Sequence, residues 1–186
     1  MTTQSIIISA IVLIIVIWII IIYNKLVRLK NLRTEGWSTI DVFLKKRYDL
    51  VPNLVESVKG YSAYEKETLE NIILARSRAM DAKDMASKAA SEDALGNTLS
   101  RFMVVAEKYP ELRANENFMY LQKELSRLEN ELARARRYYN GTVRNNNIAI
   151  EAFPSNLIAN MFRFAKGDFF EAGEAEREVT QISMDN

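Results

Sequence analysis

The chain has 186 residues, 48% of them hydrophobic, and a formal net charge of +1. This length and composition suit about one domain with a buried core. The chain has no cysteine and no histidine, which excludes disulfides, thiol nucleophiles, histidine-containing triads and zinc sites built on these residues. The balanced charge gives no reason to expect a nucleic-acid partner.

The chain opens on a segment without charged side chains, "IIISAIVLIIVIWIIIIY" at 6–23. As a helix this run measures about 27 Å, close to the hydrocarbon thickness of a bilayer. A buried core helix and a cleavable signal peptide are the alternatives, but a signal peptide has a positive n-region and a small-residue cleavage site. We therefore predict an uncleaved transmembrane anchor over residues 1–24.

The flanks of this segment predict its orientation. Lys25, Arg28, Lys30 and Arg33 follow it, and no basic residue precedes it. Positive flanks stay on the cytoplasmic side of a membrane. We expect a single-pass protein with its N-terminus outside and the rest of the chain in the cytoplasm.

The remaining sequence has helical periodicity throughout, which predicts an all-α fold. The first helix continues from the anchor to Gly60 and contains a proline in "KKRYDLVPNLVESVKGY". Proline removes a backbone hydrogen bond and crowds the preceding turn. Since the apolar stripe keeps its phase across Pro52, we predict a kinked helix with a hinge there. The alternative is a break, with 53–60 as a separate short helix.

Three more helices are predicted after Gly60. Ser62 and Glu65 have capping-box spacing and start helix two, which continues into "DAKDMASKAAS"; helix three ends at Pro110. Helix four runs from its N-cap, Asn115, to Phe153. It carries a heptad seam, typical of a coiled coil, formed by Phe118, Leu121, Leu125, Leu128, Leu132, Ala135, Tyr139 and Thr142 and extended by Asn146, Ile150 and Phe153.

Short turns between these helices favour an antiparallel four-helix bundle. The predicted organisation is an anchor at 1–24, a cytoplasmic bundle with a long, kinked first helix at 25–153, an amphipathic interfacial segment at 154–170 and a polar tail at 171–186.

Several long motifs resemble one known family. They are "YNKLVRLKN", "EGWSTIDVFLKKRYDLVPNLVESVKGY", "EKETLENIILARSRA", "VVAEKYPELRANENFMYLQKEL" and "RRYYNGTVRNNN" followed by "FPSNLIANMF". Together they resemble the LemA family over residues 23–170. The resemblance implies a membrane-anchored helical bundle with its N-terminus outside and no established enzymatic activity. A magnetosome-associated branch of the family implies a link to membrane organisation.

Carboxylates on the first helix are candidate ligands for a magnesium or calcium ion held by oxygen atoms alone. Asp41, Asp49 and Glu56 lie about two turns apart. Without histidine no Glu-x-x-His site can form, and no EF-hand loop is present. We favour solvated charges or ion pairs with Arg76, Arg78 and nearby lysines, and we expect no cofactor.

Basic and aromatic residues where the chain enters and leaves the predicted bundle suggest a lipid-headgroup surface at its membrane end. Rise per residue brings helix four back to the bilayer, where "FPSNLIANMFRFAKGDFF" interleaves apolar and basic residues. The alternative is that these phenylalanines plug the bundle or pack on a neighbouring subunit. The candidates are Lys25, Arg28, Lys30, Arg33, Arg136, Arg137, Arg144, Phe162, Arg163, Phe164 and Lys166.

The turn between helices three and four is a candidate docking surface for a protein partner. Its residues are Tyr109, Pro110, Asn115 and Phe118. The alternative is a plain connection between helices, with Tyr109 and Phe118 closing the end of the bundle.

These features favour a non-enzymatic scaffold in the bacterial cytoplasmic (inner) membrane. The expected partners are membrane lipids, further copies of the chain in a homo-oligomer, and membrane or cytoplasmic proteins. The alternatives are a membrane-linked signal relay and an accessory subunit of a membrane enzyme. No Gly-rich phosphate loop, G-x-S-x-G or metal motif supports catalysis.

Overall fold

A computed structural model describes residues 3–60 and 66–171, and their regular structure is entirely α-helical. This agrees with the predicted fold class. The helices are α1 (Thr3–Val58), α2 (Lys66–Asp81), α3 (Met85–Ala106), α4 (Pro110–Arg113), α5 (Glu116–Glu151) and α6 (Ser155–Met161).

The first helix continues through Pro52 as one element. The separate short helix at 53–60 therefore does not form. Proline at this position deprives the carbonyl of Tyr48 of its helical donor. Arg76 of α2 supplies the missing donor, with 2.8 Å between its Nε and that carbonyl oxygen. A side chain from another helix thus offsets the cost of the proline, while the hinge itself stays a prediction.

The boundary between α2 and α3 differs from the sequence prediction. The helix predicted to continue through "DAKDMASKAAS" ends at Asp81, and α3 begins at Met85. Asp84 caps α3, because its side chain accepts a hydrogen bond from the backbone N–H of Ser87 at 2.8 Å. Alanine-rich composition fits either helix, so the capping carboxylate decides where the new helix starts.

The N-termini of α5 and α4 also bear on the sequence predictions. Asn115 caps α5 as expected, accepting from the backbone N–H of Phe118 at 3.0 Å. The preceding turn contains a short helix, α4, that was not predicted, with Pro110 in its first turn. The capping box at Ser62 and Glu65 lies outside the described residues, as does the tail after Glu171.

The heptad seam of α5 is buried for most of its length, as predicted. Seven of its first eight positions are buried and Leu121 is half-buried. Asn146 and Ile150 are also buried, but Phe153 is 80% exposed. The seam ends there because α5 ends at Glu151.

The described chain forms two compact units. The anchor unit contains the chain up to Ile40 together with Ala135–Phe169. The midchain unit contains Asp41–Arg134 and the end of the described chain from Phe170. Helices α1 and α5 each contribute residues to both.

Within the anchor unit, α1 and α5 approach closely at a glycine. A Cβ atom on Gly36 would lie 3.3 Å from the Cα of Tyr139. The ring of the next residue, Trp37, lies 5.8 Å from the ring of Tyr139. A small residue on α1 therefore lets the two backbones meet.

Within the midchain unit, α2 packs along α3, and α3 contacts α5 through the rings of Phe102 and Phe118, whose centroids are 6.2 Å apart. The antiparallel four-helix bundle and the domain boundaries remain predictions.

Candidate membrane-facing site

The first part of α1 has the composition and length of a membrane span. An 18-residue window in this helix has a mean hydropathy of 3.4, and none of it is buried. Most of its isoleucines are exposed. An apolar helix exposed in this way requires an apolar environment, as a bilayer provides.

Helix α6 packs against the C-terminal end of this apolar segment. Ile158 and Ala159 of α6 form a buried cluster with Leu26, Ala149 and Ile150, to which Ile19, Ile22, Leu29 and Phe164 add partly buried side chains. The ring of Tyr23 lies 4.8 Å from Phe162 and 5.8 Å from Phe164. The two segments that the sequence predicted to meet at the bilayer surface are therefore in contact.

The outer side of this segment presents three exposed apolar residues, which we call the α6 apolar face: Phe153, Leu157 and Met161. Ile158 and Ala159 are buried and Phe164 is half-buried. One side of the segment thus packs on α1 and the other is open, and contact of the open side with a membrane stays a prediction. The face meets the composition expected of an interfacial segment.

The end of α6 has an arginine in a left-handed backbone conformation. Arg163 has φ 55°. Its N–H donates to the carbonyl of Asn160 at 3.2 Å, and the N–H of Phe164 donates to the carbonyl of Ala159 at 2.9 Å. These two bonds form a Schellman motif, whose left-handed position is usually glycine. This left-handed backbone conformation costs a residue with a side chain about 1 kcal/mol. Arg163 therefore occupies a position where glycine would be less strained.

A pocket of about 420 Å³ lies between α1 and the chain after α6. Tyr23, Lys30 and Arg33 line it from α1, and Phe162–Ala165 line it from the other side. It brings together five predicted headgroup residues: Lys30, Arg33, Phe162, Arg163 and Phe164.

The position of Arg33 in this pocket depends on Gly167. A Cβ atom on Gly167 would lie 2.6 Å from Cδ and Nη1 of Arg33. The amide of Asn147 fixes the glycine backbone, accepting from its N–H and donating to its carbonyl, both at 2.9 Å. The Nη1 of Arg33 donates to the carbonyl of Ala165 at 3.3 Å. The sequence analysis missed Asn147 and Gly167 as site residues. The sequence signal for Gly167 is its position directly after a run of basic and aromatic residues, and this signal is weak evidence by itself.

The other predicted headgroup residues do not line this pocket. Lys25, Arg28, Arg137 and Arg144 are exposed and Arg136 is half-buried. Lys166 forms an ion pair with Glu151. Nearby, burial raises the pKa of the Tyr139 hydroxyl, which donates to the carbonyl of Asp168 at 2.9 Å.

The predicted partner surface is reduced by one residue. Phe118 is 1% exposed and packs on Phe102, so its ring closes the end of the midchain core and is not available to a partner. Pro110 is exposed, and Tyr109 and Asn115 are half-buried. Pro110 also borders a groove of about 870 Å³ with Met119.

The sequence profile of the LemA family matches residues 36–184, about four-fifths of the chain. The chain belongs to the LemA family.

Individual relatives agree with this assignment. Protein LemA of Metamycoplasma hominis is 27% identical over 155 residues, covering 83% of this chain and 71% of that protein. Magnetosome protein MamQ of Magnetospirillum gryphiswaldense is 22% identical over 189 residues, covering 86% and 70%. Magnetosome protein MamQ 2 of Paramagnetospirillum magneticum is 22% identical over 175 residues. This chain spans 64% of the length of MamQ 2.

Within the midchain unit, this LemA-family chain buries a charged cluster that the sequence analysis missed. Arg47 is 1% exposed and Glu92 0%. The Nη1 of Arg47 lies 3.1 Å from Oε2 of Glu92, and its Nε lies 2.9 Å from Oε1 of Glu129. The hydroxyl of Tyr48 donates to the other Glu92 oxygen. Burial, and then Glu92, raise the pKa of Tyr48 well above its ordinary value.

A periodic signal for this cluster exists in the sequence. Arg47 lies in phase with Leu44 and Val51 on the buried stripe of α1, and Glu92 lies in phase with Ala89 and Leu95 on α3. A charge in phase with an apolar stripe indicates a buried pair. By contrast, Glu56 pairs with its neighbour Lys59 at the surface, and no acidic cluster suited to a metal occurs among residues 3–60 and 66–171.

Proposed function

We propose that the chain is a non-enzymatic scaffold, anchored by one transmembrane span and attached to the same membrane a second time through the α6 apolar face. Assembly of several copies would then organise the bilayer or hold protein partners at its cytoplasmic side. The observation that carries this proposal is the packing of α6 on the end of the span, with its other face open.

The second attachment follows from the energetics of the exposed residues. Phe153 is 80% exposed and Met161 59%. Burying such side chains in an apolar environment contributes about 1.5–3 kcal/mol each. Tyr23 ends the apolar run and contacts Phe162, the residue next to Met161 of this face. We therefore place the face at the level where a bilayer changes from hydrocarbon to headgroups.

The relatives give the scaffold its context. MamQ is named as a magnetosome protein, which fits the link to membrane organisation that the family resemblance implies. Neither LemA nor MamQ is named as an enzyme. The signal-relay alternative is favoured by α1, since one uninterrupted helix carries both the span and the buried Arg47.

The membrane contact can be tested with single-cysteine labels, because the chain has no cysteine of its own. We would attach an environment-sensitive fluorophore at Met161→Cys in full-length protein reconstituted into liposomes. Lipids that carry a quencher just below the headgroup should quench this label. A label that stays in water at Met161 overturns the second attachment.

Tyr138 provides the matched control in the same unit. It is 48% exposed and lies beside Gly36, thirteen residues beyond Tyr23. That separation corresponds to about 20 Å of helix, so a label at Tyr138→Cys should not be quenched. Equal quenching at both positions would mean that the contact is not specific to α6.

Self-association requires a separate measurement. Native mass spectrometry of the full-length protein released from membranes should give a discrete oligomer. The span carries no G-x-x-x-G, so contacts outside it should dominate, and removing residues 1–24 should leave residual association. A monomer bound to one enzyme would instead favour the accessory-subunit alternative.

A further inference from the structure

We propose that the pocket formed by Lys30, Arg33 and Arg163 binds the phosphate group of an anionic phospholipid. This inference rests on the proposed function, because it assigns a ligand to the same membrane-facing site. A general attraction between basic residues and a membrane needs no pocket, whereas this proposal assigns one lipid to one position.

The charge of the pocket points to an anion. Its lining contains three cationic side chains and no carboxylate. Among the described residues, no acidic side chain forms an ion pair with Lys30, Arg33 or Arg163; Glu151 pairs instead with Lys166. Cationic residues that line one pocket without a carboxylate are suited to phosphate oxygens, which accept charge-assisted hydrogen bonds.

The pocket is also built to hold its arginines. Gly167 leaves the space that the Arg33 side chain occupies, and Asn147 holds the glycine with two hydrogen bonds at 2.9 Å. Arg163 stands at the left-handed position of the Schellman motif despite its side chain. Backbone strain retained at one residue is typical of functional sites.

The location of the pocket selects a lipid as the source of the phosphate. Tyr23 closes the apolar run and lines the pocket together with Phe162 and Phe164. Aromatic residues at the end of a span lie at headgroup depth. Their rings can contact the glycerol and upper acyl carbons of a lipid whose phosphate contacts the cations. A free phosphate ion has no such groups and would make none of these ring contacts.

Native mass spectrometry of the full-length protein in a neutral detergent tests the proposal. Titration with phosphatidylglycerol should give one bound lipid at concentrations where phosphatidylcholine gives none. Arg163→Gly removes a cation while relieving the backbone, so folding should survive and lipid affinity should fall about tenfold, the effect of one charge-assisted hydrogen bond.

Two further variants separate a built pocket from general charge. Gly167→Ala displaces Arg33 without changing the net charge and should also weaken binding. Arg101→Ala removes one exposed charge of the midchain unit, outside the set of candidate headgroup residues, and should leave binding unchanged. Equal affinities for wild type, Arg163→Gly and Gly167→Ala overturn the proposal, as does an equal loss in Arg101→Ala.

Inorganic phosphate distinguishes the two sources of the ligand. In lipid-free detergent it should bind weakly and should not displace phosphatidylglycerol. Phosphate binding that depends on Arg163, without any preference for the anionic lipid, overturns the lipid assignment. If the Met161 label is quenched but the pocket variants do not change lipid affinity, the pocket is refuted while the proposed function stands. If the lipid binds specifically but the label is not quenched, the second membrane attachment is refuted instead.

Discussion

The anchor unit exposes an apolar face beside a group of cations, whereas the midchain unit buries an ion pair. In the anchor unit, apolar residues at α6 are exposed, and so are Lys30 and Arg163 of the pocket, while Arg33 is half-buried. In the midchain unit, Arg47 and Glu92 are buried within the core. An exposed apolar face requires an external partner, whereas a buried charge requires an internal one. The anchor unit is therefore suited to binding, and the midchain unit to fixing one arrangement of its helices.

The largest effect should follow from removing one member of the buried pair. Glu92→Leu removes the buried partner of Arg47 and leaves it with Glu129, which is 43% exposed, and this should cost about 3–5 kcal/mol. Arg47→Met with Glu92→Leu should cost much less than the sum of the single variants, since no charge then remains in the core and Glu129 can be solvated. Urea unfolding of the full-length protein in detergent, followed by circular dichroism, measures these differences.

A surface pair of the same unit provides the control. Arg127 hydrogen-bonds Glu124 at 2.9 Å, which raises the pKa of the arginine and lowers that of the glutamate. Both groups are solvated, so Glu124→Gln should scarcely change the unfolding midpoint. A loss as large as that of Glu92→Leu would mean that burial does not determine the importance of charge in this unit.

The two units also differ in how far the sequence predicted them. The apolar span and the buried seam of α5 follow from composition and period, which are local properties. The start of α3 at Asp84 depends on one cap within a helix-forming run. The pocket depends on Gly167 meeting Arg33 across 134 residues, and no period in the sequence reports such a contact.

The second prediction concerns Arg76 and Pro52 in the midchain unit. Arg76→Met should cost roughly 1–3 kcal/mol, because it leaves the carbonyl of Tyr48 without its donor. In a Pro52→Ala background the alanine N–H can bond that carbonyl, so the same change should cost less. A double-mutant cycle from urea unfolding measures the coupling.

Additive effects would mean that Arg76 does not compensate for the proline, and exposed Arg78→Met serves as the control.

Pro52→Ala alone should keep the protein folded and raise its helicity, since an interior proline costs about 3 kcal/mol. We also expect it to straighten α1 and loosen Val55 and Val58. Unchanged geometry of residues 44–60 in an experimental structure would contradict the hinge.

The third prediction compares two helical glycines of the anchor unit. A Cβ on Gly36 would meet the backbone of Tyr139 at 3.3 Å, whereas one on Gly141 would meet nothing within 4 Å. Gly141→Ala should therefore stabilise the protein by up to about 1 kcal/mol through helix propensity. Gly36→Ala should destabilise it by about 1 kcal/mol, because helices must separate. If Gly36→Ala and Gly141→Ala shift the unfolding midpoint in the same direction, the close approach of α1 and α5 is refuted.

The smallest effect concerns exposed charge in the midchain unit. The hydroxyl and backbone N–H of Ser87 donate to Asp84, which lowers the pKa of this carboxyl. A lowered folded-state pKa gives stability above the unfolded pKa of about 4, and that stability is lost as pH falls through the folded value. Asp84→Asn keeps a capping oxygen but cannot titrate, so its difference in Tm from wild type should shrink below about pH 4.

The neutral cap of α5 makes this test specific. Asn115 accepts from Phe118 with an amide oxygen, so Asn115→Ala should lower Tm by a similar amount at every pH. If the difference between Asp84→Asn and wild type is also independent of pH, the carboxylate contributes nothing beyond its hydrogen bond. If it grows as pH falls, the sign of the pKa shift is wrong. A small, acid-sensitive effect at Asp84 beside a large one at Glu92 would show that burial sets the importance of a carboxylate in this unit.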